Sequence, residues 1–287
     1  MIASMTGFAR REVVGTFGTL VCELRSVNHR FLEAGFRLPD ELRSAESELR
    51  SRLAREVRRG KVDCVITYRR VQAAAAGLEV DSAALARLAS RLKDLERTFP
   101  SGSIDLLDVL RWPGVLKDDA GADEQLLAAA LTLFAATVEE LLGARRREGE
   151  RLREILDKRC EALEALVKQV RERIPEVHER MRTRLEERVR DLAAAVDPER
   201  LEQELALLLQ RLDVDEELDR LAGHIIEIRR VLTGVEPAGR RLDFLMQELN
   251  REANTLSSKS QDLETTRAAV DMKVVIEQMR EQVQNIE

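Results

Sequence analysis

No glycine falls between Gly149 and Gly223. Within that span Leu152, Ile155, Leu163, Leu166, Val170, Val177, Met181, Leu185, Val189 and Leu192 recur mostly at intervals of three, four or seven. An apolar seam of this period belongs to a helix that lays one stripe against other helices. The spacing predicts an amphipathic hairpin or coiled-coil arm, bent at Pro175, where the ring removes a backbone donor. Composition agrees: 35% of the 287 residues are charged and only 3% are aromatic. That balance suits long helices studded with ion pairs, and 44% hydrophobic content suffices for a core.

The chain before the arm has a different period. "MTGFARREVV" and "GTLVCELRSV" flank Gly15-Thr16-Phe17-Gly18 and read as a β-hairpin. "RFLEAGFRL" reads as a third strand closed by Pro39, and "KVDCVITYRR" as a fourth. Between them Leu42, Ala45, Leu49, Leu53 and Val57 have helical spacing, with Asp40 as cap and Gly60 as stop. The order β-β-β-α-β defines an α+β domain. From Asp81 onward the pattern is helical, with a short helix broken at Pro113. After the arm, Asp197-Pro198 restarts a helix, Asp213 and Glu216 suggest a capping box, and helices follow over 240–256 and 262–286. The expected organisation is an α+β domain with helical extension over 1–150, an arm over 151–200 and a helical domain over 201–287.

Charge is distributed unevenly. Residues 1–70 carry 14 basic against 9 acidic side chains, whereas 201–287 carry 11 basic against 18 acidic, within a net charge of −6. One end suits a polyanion and the other is rich in oxygen ligands; an acidic protein with uneven helices is the plainer alternative. No run of eighteen apolar residues appears, so no membrane-spanning helix is expected. Cys22, Cys64 and Cys160 are isolated, as reduced thiols of a cytoplasmic protein would be. No Gly-rich phosphate loop, GxSxG elbow or CxxC pair occurs, and aromatic residues for base stacking are scarce.

The candidate chemistry lies in "RLDFLMQELNREANTLSSKSQDLE". Leu242, Leu245, Leu249, Ala253 and Leu256 form one seam. Glu248 and Glu252 flank it one turn apart, and Asp243, Gln247, Asn250 and Asn254 occupy the other flank. Like charges at i and i+4 repel when exposed. They make sense around a cation, since two carboxylates on one turn can hold Mg²⁺ or Mn²⁺, or against a neutralising Arg241 or neighbouring helix. His224 borders another seam with Arg220 and Glu227, either as base or ligand or as part of an ion-pair row. Near the N-terminus, Arg25, Ser26, Asn28, His29 and Arg30 offer donors suited to phosphate or sugar, or form a solvated turn.

"SMTGFAR", "ELRSVNHRFLE", "FRLPDELR", "RGKVD", "GRRLDFLMQELNREANTLSSKSQDLETT" and "IEQMREQVQNIE" resemble the YicC family of bacterial proteins. The likeness runs from end to end and is weakest over about 71–200. Ala9, Ala34, Gly223 and Ser257 depart from the family pattern without removing a charged or amide group. The resemblance implies a cytoplasmic endoribonuclease that needs a divalent metal and forms a homo-oligomer, a hexamer, with RNA held between ring and arms. Carried over by motif, His224, Glu248, Arg251, Glu252 and Lys259 are the expected catalytic residues. Glu248, Glu252 and Asp262 are the expected ligands of Mn²⁺ or Mg²⁺, and Arg25, Asn28, His29, Arg30 and Asn254 the expected RNA contacts. A metal-free alternative makes His29 and His224 base and acid on the 2′-hydroxyl. Two non-enzymatic alternatives are an adaptor for small RNAs and a coiled-coil assembly protein.

Overall fold

The computed structural model describes residues 2–70, 80–99, 104–115, 120–191, 202–203, 207, 213–234 and 238–287. It is an α+β protein. Strands β1 (Gly7–Gly15), β2 (Gly18–Val27), β3 (Leu32–Arg37) and β4 (Gly60–Arg70) form one sheet in the order β1-β2-β4-β3. The β1–β2 hairpin is antiparallel, with Phe8 opposite Arg25 and Gly15 opposite Gly18. β3 runs parallel to β4, so the chain must cross over between them, and helix α1 (Glu46–Glu56) makes that crossing. A 3-10 turn over Asp40–Ala45 precedes α1. Asp40 does not cap the helix as expected; it pairs with Arg43 at 2.9 Å.

Helices α2 (Ser82–Thr98) and α3 (Leu106–Arg111) follow. Asp81 caps α2 by accepting from the Ala83 and Ala84 N–H groups, and α3 stops just before Trp112-Pro113. Helix α4 (Ala120–Asp191) has 72 residues and contains Pro175. At 1.5 Å per residue it is roughly 108 Å long. It begins about thirty residues before the expected arm, so a single helix serves both the sheet and the C-terminal region. Leu192 and Asp197-Pro198 lie outside the described residues.

The first half of α4 lays Leu126, Ala130, Leu133, Phe134, Val138 and Leu141 on the sheet and α1. One window of this helix is long and apolar enough to cross a bilayer by length and hydropathy. An uninterrupted-run criterion overlooks it because a few charges intervene. Its apolar stripe is a face of the sheet core. The next part of α4 carries Leu152, Leu156, Cys160, Leu163, Val167 and Val170 into a second core. Helices α5 (Asp215–Thr233), α6 (Gly239–Lys259) and α7 (Leu263–Val283) supply the other side. Leu152, Leu163 and Val170 of the predicted seam are thus buried within one chain, whereas Leu166 is half-buried and Ile155 exposed. Farther along, Ile174, Val177, Met181, Leu185 and Val189 are half-buried.

Two glycines mark where backbones meet. A Cβ at Gly149 of α4 would collide with the Ile2 carbonyl oxygen, and one at Gly239 of α6 with that of Ile286. The chain ends lie side by side there: Ser4 bridges Ile286, and the Met5 N–H donates to Asn285 O at 2.8 Å.

Candidate active site

α5 and α6 pack antiparallel. Lys259 near the end of α6 reaches the start of α5, while Arg241 near the start of α6 meets Glu227 farther along α5 at 3.2 Å. Leu218, Leu221, Ile225 and Ile228 of α5 bury against Leu242, Leu245, Leu249, Ala253 and Leu256 of α6. Residues bordering these stripes are brought to the seam between the helices. His224 on α5 meets Glu248 and Glu252 on α6 in this way, and one ligand atom from each lies within 4.8 Å of the other two.

The environment of the trio is unequal. The Glu252 side chain is 5% exposed, and Arg220 Nη1 lies 3.5 Å from its Oε1. His224 and Glu248 are half-buried and pair with no charged side chain among the described residues. A buried carboxylate is costly unless paired or coordinating a cation. One imidazole and two carboxylates with free lone pairs form a donor set that fits Mn²⁺, Mg²⁺ or Zn²⁺. Arg241, the neutralising residue considered from spacing, is occupied by Glu227. Hydrogen bonding from Arg230, with Arg241 adding to it, holds the Glu227 carboxyl down at about 2.

Several expected site residues lie elsewhere. Asp262 is not in the trio. It caps α7 by accepting from the Thr265 N–H at 3.3 Å, and it pairs with Arg180 at 2.8 Å and Arg173 at 3.5 Å. Burial opposes its charge, but the Thr265 N–H and both arginines outweigh burial and lower its pKa. Lys259 donates to Asp213 O at 2.8 Å and Glu217 Oε1 at 2.9 Å, which fastens α6 to α5. Glu217 is itself buried, and its Oε2 has no hydrogen-bond partner among the described residues. Arg251 and Asn254 are exposed on α6. The suggested capping box is also different: Asp213 accepts from the Asp215 N–H, and Glu216 instead pairs with Arg220.

The N-terminal candidates form a separate group. Arg25 is on the uncovered face of the sheet, flanked in register by Phe8 and Asp63. Asn28, His29 and Arg30 are exposed in the β2–β3 connection. His29 Nδ1 is 3.1 Å from Phe31 O and its Nε2 3.7 Å from Glu33, while Arg30 lies over the Phe31 ring. Ser26 points inward and donates to Met5 O, so it is a packing residue. Arg59 links this group to the start of α6, donating to His29 O at 3.1 Å with its guanidinium beside Gly239. From Gly239 to Glu248 is about 13 Å of helix.

A four-stranded sheet joined by one long helix to a three-helix unit with a histidine-carboxylate centre defines a two-core α+β protein. Family models confirm the kinship: "Endoribonuclease YicC-like, N-terminal region" matches residues 2–154 and "Endoribonuclease YicC-like, C-terminal" matches 170–287. The chain belongs to the YicC-like endoribonuclease family. It is 42% identical over 287 residues to "Probable endoribonuclease YicC" of Haemophilus influenzae, with both chains covered in full. It is 31% identical over 293 residues to the protein of that name from Clostridioides difficile, again with full coverage.

Sequence reasoning singled out all three members of the trio, with His224 among the expected catalytic residues, and set Asp262 rather than His224 among the expected ligands. It overlooked Arg220 and Glu217 as participants. Spacing sets Arg220 one turn before His224, but its approach to Glu252, like that of Glu217 to Lys259, is made across α5 and α6.

Proposed function

We propose that the protein is an endoribonuclease that hydrolyses RNA phosphodiester bonds with a divalent cation held by His224, Glu248 and Glu252. The convergence of these three side chains from two helices carries the reading. What the cation supplies when bound is a more acidic coordinated water and compensation of charge developing on the phosphoryl group. Glu252, shielded from solvent, offers a carboxylate with little competition from water. Glu248 and His224, nearer the surface, leave room for a phosphate. Arg25, Asn28, Arg30, Arg251 and Asn254 are exposed donors suited to the RNA backbone.

The metal-free alternative requires His29 and His224 on either side of one phosphate. His29 belongs to the group at the start of α6, about 13 Å of helix away from Glu248. The end groups of the product distinguish the two, since metal-assisted water attack leaves no cyclic phosphate. The same reading takes the protein as a homo-oligomer, hexameric by family resemblance. The half-buried apolar residues of distal α4 support association. A cytoplasmic setting suits three buried, free cysteines.

The test is incubation of purified protein with labelled RNA, with and without Mn²⁺, beside Glu252→Gln. The variant removes the charged ligand and keeps its shape. Cleavage should require the cation and fall by about two orders of magnitude or more in the variant, given that metal assistance is worth several kcal/mol. Wild-type rates in Glu252→Gln would remove the trio from the chemistry.

A further inference from the structure

We propose that Arg220 is the phosphate-holding residue of this centre, resting against Glu252 until RNA and cation arrive. The inference rests on the reading of His224, Glu248 and Glu252 as the cation site. Among the described residues Arg220 is the cation paired with that trio. It precedes His224 by one turn of α5, so the two side chains share a face. Its Nη1 stands 3.5 Å from Glu252 Oε1, close enough for ionic attraction but at the limit of a hydrogen bond. Its other tie is to the exposed Glu216, one turn earlier.

The exposures differ in a telling way. The Glu252 side chain is 5% exposed and that of Arg220 is 51% exposed. The carboxylate is fixed inside the seam, whereas the guanidinium sits on its rim and can turn. The other candidate cations are less suited. Lys259 is committed to Asp213 and Glu217. Arg251 follows Glu248 by three residues but is exposed and pairs with no carboxylate among the described residues. A guanidinium presents a planar fork of donors that matches two oxygens of a phosphate. Once the charge of Glu252 is taken up by a cation, that fork is released at the rim where the phosphate must lie.

Two positive charges then compete for one carboxylate, which gives the proposal an unusual signature. Arg220→Gln should bind Mn²⁺ more tightly, by about threefold or more, because a repelling charge is gone. The same variant should cleave RNA at least about tenfold more slowly, and its RNA affinity should lose about 0.7 of log-log salt slope. Arg220→Lys keeps the charge without the fork, so its Mn²⁺ affinity should remain near wild type while cleavage falls. Mn²⁺ binding is measured by electron paramagnetic resonance of the free ion, with circular dichroism verifying the fold. If wild type binds Mn²⁺, Glu252→Gln does not, and Arg220→Gln binds no tighter, the role of Arg220 is overturned while the cation site stands. Unchanged cleavage in Arg220→Gln also overturns it. Wild-type protein that binds no Mn²⁺ overturns both.

Discussion

Two carboxylates in one sequence motif have opposite fates. Asp262 is satisfied by a backbone N–H and two arginines. Glu252 is more deeply hidden, yet among the described residues its charged partner is Arg220 alone, at 3.5 Å. The first acts as a cap, and the charge of the second is costly to bury without further compensation. Asp262→Asn should therefore destabilise the protein by about 1 kcal/mol at neutral pH, the usual worth of a cap. The lowered pKa of Asp262 sets the direction of the pH effect: its charge stabilises the fold above the ordinary carboxylate value near 3.9, and that stabilisation is lost as pH falls below it. Wild type and variant should converge in acid. Urea titrations at neutral pH and near pH 3 measure this, and a constant difference would show that charge is not the source. The chemistry of each residue was legible in the sequence, but not its partners, since Arg173 and Arg180 lie more than eighty residues from Asp262.

Among the elements, α4 decides the architecture. Its apolar period was readable, and its distal part, from Glu150 to Asp191, accords with a span free of glycine. The register was less so: Ile155, taken into the seam from spacing, is 42% exposed, while its neighbour Leu156 is fully buried. A strict coiled-coil stripe faces one partner, whereas α4 here beds against a group of helices and uses a wider face. Arg229 of α5 reinforces the contact by reaching Asp157 at 2.9 Å and both oxygens of Glu164. Leu156→Ala should cost about 3 kcal/mol, the usual penalty for truncating a buried leucine. The expected observation is a lower urea midpoint at unchanged slope. A loss below about 0.5 kcal/mol would place Leu156 at a surface instead.

At the scale of the whole molecule, two hydrophobic cores share α4, and Arg145 lies between them. It is 1% exposed and donates to Ser4 O at 2.6 Å, to Glu287 Oε2 at 2.6 Å and to Arg59 O at 3.4 Å. Burial lowers its pKa and Glu287 opposes that shift. One side chain thus ties the N-terminal segment, the sheet and the C-terminal residue to the long helix. Arg145→Ala strands those acceptors and should cost about 3 kcal/mol, as breaking a buried ion pair does. Amide exchange should accelerate at Ser4, Met5 and Glu287 before it does in either core. Equal protection in the variant would mean that the adjoining chain ends hold without the clasp. By itself, the sequence determined the α+β class, the strands, the long helix and the kinds of side chain at the centre. These follow from local period, turn chemistry and composition, which each segment carries alone. Only the tertiary structure decided that His224 joins Glu248 and Glu252, that Asp262 caps α7 while Lys259 links α6 to α5, and that Arg220 stands at the rim. Those outcomes depend on how α5 and α6 are aligned, and that alignment is set by packing between residues distant in the chain.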